Sequence, residues 1–275
     1  MKKRRDLTPF HWTLSITILF TLAMGVGYLS LVWLPPAIFL MICIAAAFFH
    51  EWGFYLPVIS HGIRCDAGNT TAVALTVDDG PDPATTPALL ELLDRHGVQA
   101  TFFVLGKRVR AFPELVRAIS EAGHTIGNHS FSHRTGIAFK SRRHLYNEVA
   151  ATQAELARLG IVPRIYRPPV GITYPGMGKV LEAFGLVTVT FNRRALDFGN
   201  RRLSGLASRI LARIAPGDII MVHDLPPYQN DVQTWLAEID TLIRGIREKH
   251  LEIRSLAEVI GRPDIQHTSW IPGKP

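Results

Sequence analysis

From residue 71 onwards, the sequence alternates short β-rich runs with amphipathic helical stretches, and this alternation constrains the fold more than any other feature. Residues 72–77 predict a buried strand, residues 85–96 a helix with its leucines on one side, and residues 100–105 a second strand. The alternation continues with predicted helices over 113–122, 142–159, 178–184, 203–214 and 232–250 and predicted strands over 125–127, 165–167, 187–191, 218–222 and 252–254.

This order of elements predicts parallel strands that are joined by helical crossovers. About seven strand–helix units in roughly 200 residues favour a closed or nearly closed barrel over an open sheet, so we predict an α/β fold of the distorted (β/α)7-barrel type. The functional side chains of such barrels lie at the carboxyl ends of the strands. Polar residues at predicted strand ends are therefore the candidates for function.

The segment before this region is unusually apolar. No Asp, Glu, Lys, Arg or His occurs over residues 12–34, and only His50 and Glu51 occur over residues 35–59. Each stretch is long enough to cross a bilayer core of about 30 Å as a helix. We therefore predict a membrane anchor over residues 1–62, with one or two transmembrane helices and a hairpin over about 12–34 and 37–59 as the favoured form.

The apolar segment has two other interpretations. A cleaved signal peptide is disfavoured, because the apolar region continues through Trp33 and Trp52. A single span followed by an interfacial segment stays open, because Pro35-Pro36 interrupts the apolar run. The basic residues 2–5 predict a cytoplasmic amino terminus. A hairpin then returns the rest of the chain to the cytoplasmic side, whereas a single span places it outside.

The rest of the chain divides into one domain over residues 68–262 and a C-terminal tail over 263–275. The net charge of the whole chain is +7. This modest positive charge suits contact with anionic lipid headgroups or phosphate-bearing substrates and does not indicate a nucleic-acid partner. The two cysteines, Cys43 and Cys65, are poorly placed for a structural disulfide.

The first polar strand end is Thr-Val-Asp-Asp-Gly-Pro-Asp-Pro over residues 76–83. Asp78 and Asp79 are adjacent carboxylates, which raise each other's proton affinity unless a cation lies nearby. A divalent metal ion removes that cost. The Asp-Gly-Pro sequence also favours a turn whatever its role, so the motif by itself leaves both interpretations open.

A second strand end carries His129 and His133 in the sequence His-Ser-Phe-Ser-His. Two imidazoles four residues apart on a helical turn face the same way and can bind one metal ion. The preceding strand puts His129 on the same barrel edge as Asp78 and Asp79. One carboxylate plus two imidazoles, with positions open for water and substrate, is the ligand set of a catalytic metal site, and zinc is the default ion.

Two further strand ends add a guanidinium and an imidazole. Arg167 precedes the rigid sequence Pro168-Pro169-Val170, and His223 follows the hydrophobic run over 218–222. Taken alone, Arg167 is also compatible with a structural salt bridge, and His223 with a buried core histidine.

Together these four stretches resemble the polysaccharide deacetylase family, also called the NodB homology domain or carbohydrate esterase family 4, over residues 71–260. The resemblance implies that Asp79, His129 and His133 bind a divalent metal ion. Zinc is the expected ion, and cobalt, nickel or manganese are alternatives.

The resemblance also implies how protons move. Asp78 would be the general base, and Arg167 would orient it and stabilise its charge. His223 would be the general acid, with Asp197 helping to keep its imidazole protonated. A backbone N–H near Val170 would stabilise the oxyanion together with the metal ion.

The sequence departs from the family pattern around the cleft. Val170 stands where the family has an aromatic residue, Phe198 where it has tryptophan, Arg194 where it has an acidic residue, and Met221 where it has leucine. These changes leave the predicted metal ligands and proton carriers in place but alter the cleft walls, so a short or lipid-carried substrate becomes plausible. The predicted substrate-binding residues are Pro168, Pro169, Val170, Phe198 and Met221.

The resemblance implies a metal-dependent hydrolase that removes N-linked acetyl groups from amino sugars of a polysaccharide or lipid-linked glycan precursor. The apolar amino-terminal segment adds the expectation that it is integral to the inner membrane of a bacterium, and the basic residues 2–5 with a hairpin favour the cytoplasmic face. Alternatives are removal of a formyl or acetyl group from an undecaprenyl-linked sugar and O-acetyl esterase activity. A non-catalytic glycan-binding membrane protein is disfavoured, because the residues for metal binding and proton transfer are all present. A phosphoryl hydrolase is disfavoured, because no further carboxylate cluster falls at a predicted strand end.

Overall fold

A computed structural model describes residues 8–27, 33–48, 53–62, 71–134, 141–266 and 268–269 of the chain. Some sequence predictions lie outside this part. They concern the basic residues 2–5, Cys65, and most of the predicted C-terminal tail.

From residue 72 onwards, most strands are followed by a helix, as predicted. The helices are α1 (Pro9–Gly27), α2 (Leu34–Phe48), α3 (Thr86–Arg95), α4 (Gly106–Ala111), α5 (Pro113–Glu121), α6 (Arg142–Ala157), α7 (Met177–Ala183), α8 (Leu206–Leu211), α9 (Val232–Glu248) and α10 (Leu256–Val259). The strands are β1 (Ala72–Asp78), β2 (Thr101–Val104), β3 (Thr125–Asn128), β4 (Ile161–Val162), β5 (Ile165–Tyr166), β6 (Val187–Thr188), β7 (Arg193–Arg194), β8 (Ile219–His223), β9 (Glu252–Arg254) and β10 (Thr268–Ser269).

Eight of the described strands form one parallel sheet, in the order β6-β5-β3-β2-β1-β8-β7 with β9 paired to the first half of β1. The short strands β4 and β10 form a separate antiparallel pair. The prediction of an α/β fold built on parallel strands is confirmed. The sheet is a half-barrel in which β1 lies between β2 and β8, consistent with the predicted (β/α)7 type.

The core explains why the pattern of leucines predicted α3 correctly. Leu89, Leu92 and Leu93 are buried in the main hydrophobic cluster. The same cluster contains Leu75 of β1 and Phe102 of β2, so α3 packs its leucine face against the central strands. Because β1 is buried along nearly its whole length, the polar residues at its carboxyl end are held on a rigid support.

The two amino-terminal helices differ from the predicted membrane hairpin. Within the residues that the structure describes, no helix is both long enough and apolar enough to cross a bilayer. The 15 residues of α2 extend about 22 Å at 1.5 Å per residue, short of a bilayer core of about 30 Å. The structure thus does not support the predicted transmembrane helices, and residues 28–32 and 49–52 of the predicted spans lie outside the described part.

Residues 53–62 pack against the half-barrel. Ile59 forms a parallel bridge with Val189, and the hydroxyl of Tyr55 donates to the carbonyl of Cys43 in α2 at 2.7 Å. One hydrophobic cluster joins this segment to α6 and α7, and its members include Phe54, Tyr55, Leu56, Leu145, Val149, Met177, Val180 and Leu181. The amino-terminal helices are therefore connected to the half-barrel by a packed apolar interface.

Candidate active site

Two adjacent carboxylates stand at the carboxyl end of β1. Asp78 is the last residue of the strand, and its Cα partner is His223, the last residue of β8. Asp79 follows with a left-handed backbone (φ 74°), and its N–H donates to the carbonyl of Phe103 at 3.2 Å. Both carboxylates are buried, so their charges require cationic neighbours.

The structure brings Asp79, His129 and His133 into one cluster, with their ligand atoms all within 4.8 Å of one another. Nε2 of His133 lies 3.2 Å from Oδ1 of Asp79, and Nε2 of His129 lies 3.5 Å from it. That oxygen is buried and accepts no hydrogen bond from the described residues. A buried carboxylate oxygen that faces two imidazole nitrogens fits the open, three-ligand set of a catalytic metal ion.

The protonation of these groups also suits a cation. Burial alone would raise the pKa of Asp79, but the imidazoles of His129 and His133 hold that pKa below its usual range. Nδ1 of His129 lies 2.8 Å from the carbonyl oxygen of Arg167, which can only accept, so Nδ1 carries a proton. Burial opposes a charge on His129, but Asp78 and Asp79 raise its pKa, so a metal ion competes with a proton for Nε2.

Arg167 is fully buried directly after β5 and holds Asp78 in place. Its Nη1 donates to Oδ1 of Asp78 and to Oγ1 of Thr76, both at 2.7 Å, and its other nitrogens donate to two backbone carbonyls. Its Cζ lies 4.0 Å from the ring centroid of Phe103. These contacts orient the guanidinium and engage one oxygen of Asp78, while Oδ2 faces the metal-ligand cluster.

His223 is paired with a buried carboxylate on its far side. Its Nδ1 lies 2.9 Å from Oδ2 of Asp197, and Asn200 donates through Nδ2 to the carbonyl of His223 at 3.0 Å. Burial lowers the pKa of His223, but the hydrogen bond to Asp197 and its charge outweigh burial and raise the pKa to about 9. The imidazole is therefore a cation at neutral pH, with Nε2 left to donate a proton.

The residues predicted to bind substrate fall into two groups. Pro168, Pro169 and Met221 are buried. Val170 and Phe198 are 47% and 70% exposed, and each has a left-handed φ of 53°. Side chains rarely adopt that backbone conformation, least of all β-branched ones, and such strain clusters at functional sites. Substrate binding stays a prediction for all five residues.

Two buried residues beside the site were missed by the sequence analysis. Thr76 supports the guanidinium described above and donates from Oγ1 to a carbonyl of β8 at 2.7 Å. Asp224 accepts from the hydroxyls of Thr85 and Thr86 at 2.5 Å, and burial raises its pKa to about 6. Polar residues at the ends of otherwise apolar strands are a signal that the sequence offers for both. Their roles could not be predicted, because Thr76 and its partner Ile220 are 144 residues apart along the chain, and Asp224 and its partner Thr85 are 139 apart.

The comparisons with known proteins identify the family. The polysaccharide deacetylase profile matches residues 66–189. A chitooligosaccharide deacetylase of Bradyrhizobium sp. is 33% identical over 184 residues, which cover 66% of this chain and 84% of that protein. The chain therefore belongs to the polysaccharide deacetylase family, as the sequence motifs predicted.

Two further similarities concern peptidoglycan deacetylases. A peptidoglycan-N-acetylglucosamine deacetylase of Listeria monocytogenes is 33% identical over 190 residues, which cover 69% of this chain and 39% of that protein. The crystal structure of another peptidoglycan N-acetylglucosamine deacetylase matches with a TM-score of 0.67 and 29% identity over 74% of this chain and 93% of that one. The chain thus spans less than half the length of the first curated relatives that it matches.

Proposed function

We propose that this protein is a metal-dependent hydrolase that removes N-linked acetyl groups from amino sugars of a polysaccharide or a lipid-linked glycan precursor. The observation that carries the proposal is the arrangement of Asp78 and His223, each paired with its own partner, around the cluster of Asp79, His129 and His133. The names of the relatives, peptidoglycan N-acetylglucosamine deacetylase and chitooligosaccharide deacetylase, support an N-acetylated amino sugar as substrate.

In this proposal, Asp79, His129 and His133 hold a divalent cation, with zinc favoured by the ligand types and cobalt, nickel or manganese as alternatives. When bound, the cation supplies Lewis acidity that makes water more acidic and polarises the acyl carbonyl. The ligands come from the ends of two strands, so they are fixed relative to each other before substrate arrives.

Asp78 takes the proton from the attacking water. Arg167 engages Oδ1 of Asp78, which fixes the carboxylate and leaves Oδ2 to accept the proton. The guanidinium is buried and makes four hydrogen bonds, so its orientation is fixed before substrate binds.

His223 gives a proton to the departing amine. Asp197 binds Nδ1, which keeps the imidazole charged and leaves Nε2 to donate. His223 is the strand neighbour of Asp78, so the acid and the base lie at the same end of the sheet. Water adds to the acyl carbon, the carbon–nitrogen bond breaks, and the products are a carboxylic acid and a free amino sugar.

A lipid-linked sugar is a second candidate substrate within the same reaction class. Three apolar side chains stand exposed on the loops that flank the site, at Val170, Leu196 and Phe198. An apolar rim of this kind suits a substrate that carries a lipid more than a fully hydrated polysaccharide chain.

We further propose that the protein works at the inner membrane of a bacterium. The support is the apolar surface of α1 and α2, where large side chains are more than half exposed, including Trp12, Leu19, Phe20, Leu22, Leu40 and Met41. Flotation of the full-length protein with anionic vesicles tests this location, and a protein that stays at the bottom of the gradient would contradict it. The cytoplasmic face stays a prediction.

The function is tested by measuring acetate and formate released from chitin oligomers, peptidoglycan and undecaprenyl-linked N-acyl sugars. We expect release that requires zinc, stops with chelator and is lost in Asp78→Asn. Asp94→Asn changes an exposed carboxylate on α3 and serves as the matched control. Failure to release either acid from any substrate, with metal demonstrably bound, would contradict the proposal.

A further inference from the structure

The turn that joins the two histidine ligands has an unfavourable backbone. Ser130 and His133 both adopt left-handed conformations, with φ of 72° and 55°. Residues with side chains rarely do so, because Cβ then crowds the backbone. The turn therefore needs contacts from outside to hold His133 beside Asp79.

Glu148, from the middle of α6, supplies those contacts. Its Oε2 accepts from the backbone N–H of Phe131 at 3.1 Å and of Ser132 at 2.8 Å. The hydroxyl of Ser132 also donates to Oε1 at 2.9 Å. One carboxylate thus binds three donors from the two residues that directly precede His133, through hydrogen bonds strengthened by its charge.

The same helix also holds the start of the turn. Asn128 accepts from the N–H of Ser130 at 2.9 Å through Oδ1, and its Nδ2 donates to Gln153 Oε1 and the Val149 carbonyl, both in α6. The carbonyls of the turn are bound separately, because the N–H groups of Gly106 and Lys107 donate to them at 3.0 Å. Among these contacts to the turn between His129 and His133, the charged group is Glu148.

We propose that Glu148 is a positioning residue for the metal centre, which sets the affinity of the site by fixing the turn that presents His133. The inference rests on the proposed function, since it concerns the same three ligands. Glu148 does not bind the metal; it acts through the backbone of residues 131 and 132. Groups that orient metal ligands in this way change metal affinity when they are replaced.

The test measures Co²⁺ binding to the full-length protein by calorimetry and by the visible absorption of the bound ion. Glu148→Gln keeps the side-chain volume but removes the charge. One carboxylate oxygen becomes an NH₂ group, which cannot accept a hydrogen bond from the turn. We expect roughly 10- to 100-fold weaker binding and an altered cobalt spectrum. Glu182→Gln, an exposed residue of α7, is the matched control and should bind like the unchanged protein.

Circular dichroism and thermal unfolding of the metal-free proteins show whether a variant that binds Co²⁺ weakly is still folded. If Glu148→Gln does not fold, Ser132→Ala removes one of the three donors, and we expect a loss of about 2- to 10-fold in Co²⁺ affinity. Equal affinity and spectrum in folded Glu148→Gln and the unchanged protein would overturn the inference alone. Absence of Co²⁺ binding by the unchanged protein would overturn the proposed metal centre as well.

Discussion

Asp78 and Asp79 are adjacent in sequence, yet their surroundings differ. Asp78 is bound by Arg167, whereas Asp79 faces two imidazoles. We predict that Asp78→Asn lowers kcat about 10²- to 10⁴-fold, because the general base is lost while the metal ligands remain. Acetate release and Co²⁺ affinity, measured side by side, check this. A variant that loses metal as well as activity would show that Asp78 is a ligand instead.

His223 provides a prediction about pH. Its pKa is raised to about 9 by Asp197, so the acid form, and with it kcat, should decline as pH rises through about 9. In Asp197→Asn the raising charge is gone and burial lowers the pKa, so the alkaline limb of the kcat profile should move to lower pH.

The full pH profile of kcat measures this shift. Asp264→Asn alters an exposed carboxylate that pairs with Arg262 and should leave the limb in place. An alkaline limb at the same pH in Asp197→Asn and the unchanged protein would remove His223 from the role of general acid.

The sequence predicted that Asp79, His129 and His133 lie close together, and the structure places them so, while their roles stay predictions. Asp79, His129 and His133 come together because parallel strands align their carboxyl ends, which the alternation of elements already implied. The residues it missed act through distant partners. Thr76 contacts β8, and Glu148 contacts a turn 16 and 17 residues before it, so neither role follows from a local motif.

The close contact between β3 and its neighbours depends on Gly127. A Cβ at this position would lie 2.6 Å from Phe103 and 2.9 Å from Ile165, both in the core. We predict that Gly127→Ala destabilises the protein by about 1–3 kcal/mol, because β3 must move away from β2 and β5. Urea unfolding measures the change.

The control is Gly178→Ala in α7, where a Cβ would make an ordinary 3.4 Å contact with Leu56. Alanine favours the helix over glycine, so this variant should be neutral or up to about 1 kcal/mol more stable. If the two alanine variants unfolded at the same urea concentration, the crowding argument for β3 would fail.

The bounds of helices and strands were predicted correctly where a periodic sequence pattern was long. They were predicted wrongly where tertiary contacts determine the end of the element. The predicted helices over 85–96 and 113–122 and the strand over 252–254 agree with α3, α5 and β9 within one residue at each end. The predicted strand over 187–191 is longer than β6, which ends at Thr188. Beyond it, Val189 forms only a single bridge, with Ile59. The short helices α4 and α10 were missed, since neither is long enough to show a periodic pattern.

The amino-terminal region of the molecule shows that hydropathy alone does not separate lipid-facing residues from residues buried against protein. An apolar run is equally suited to packing against protein and to contact with lipid. In the structure, Phe54, Tyr55 and Leu56 are buried against α6 and α7, while other apolar side chains of α1 and α2 stay exposed. The sequence alone could not predict which apolar residues are buried and which are exposed, because this depends on how the segment packs against the half-barrel.

We propose that one metal ion at one three-ligand site drives the hydrolysis. The direct measurement is the rate of acetate release from an N-acetylated amino sugar oligomer as metal-free protein is titrated with zinc. We expect the rate to rise from zero in proportion to added zinc and to level off at about one equivalent, as for a single open site. Full activity without metal, or a break at about two equivalents, would contradict it.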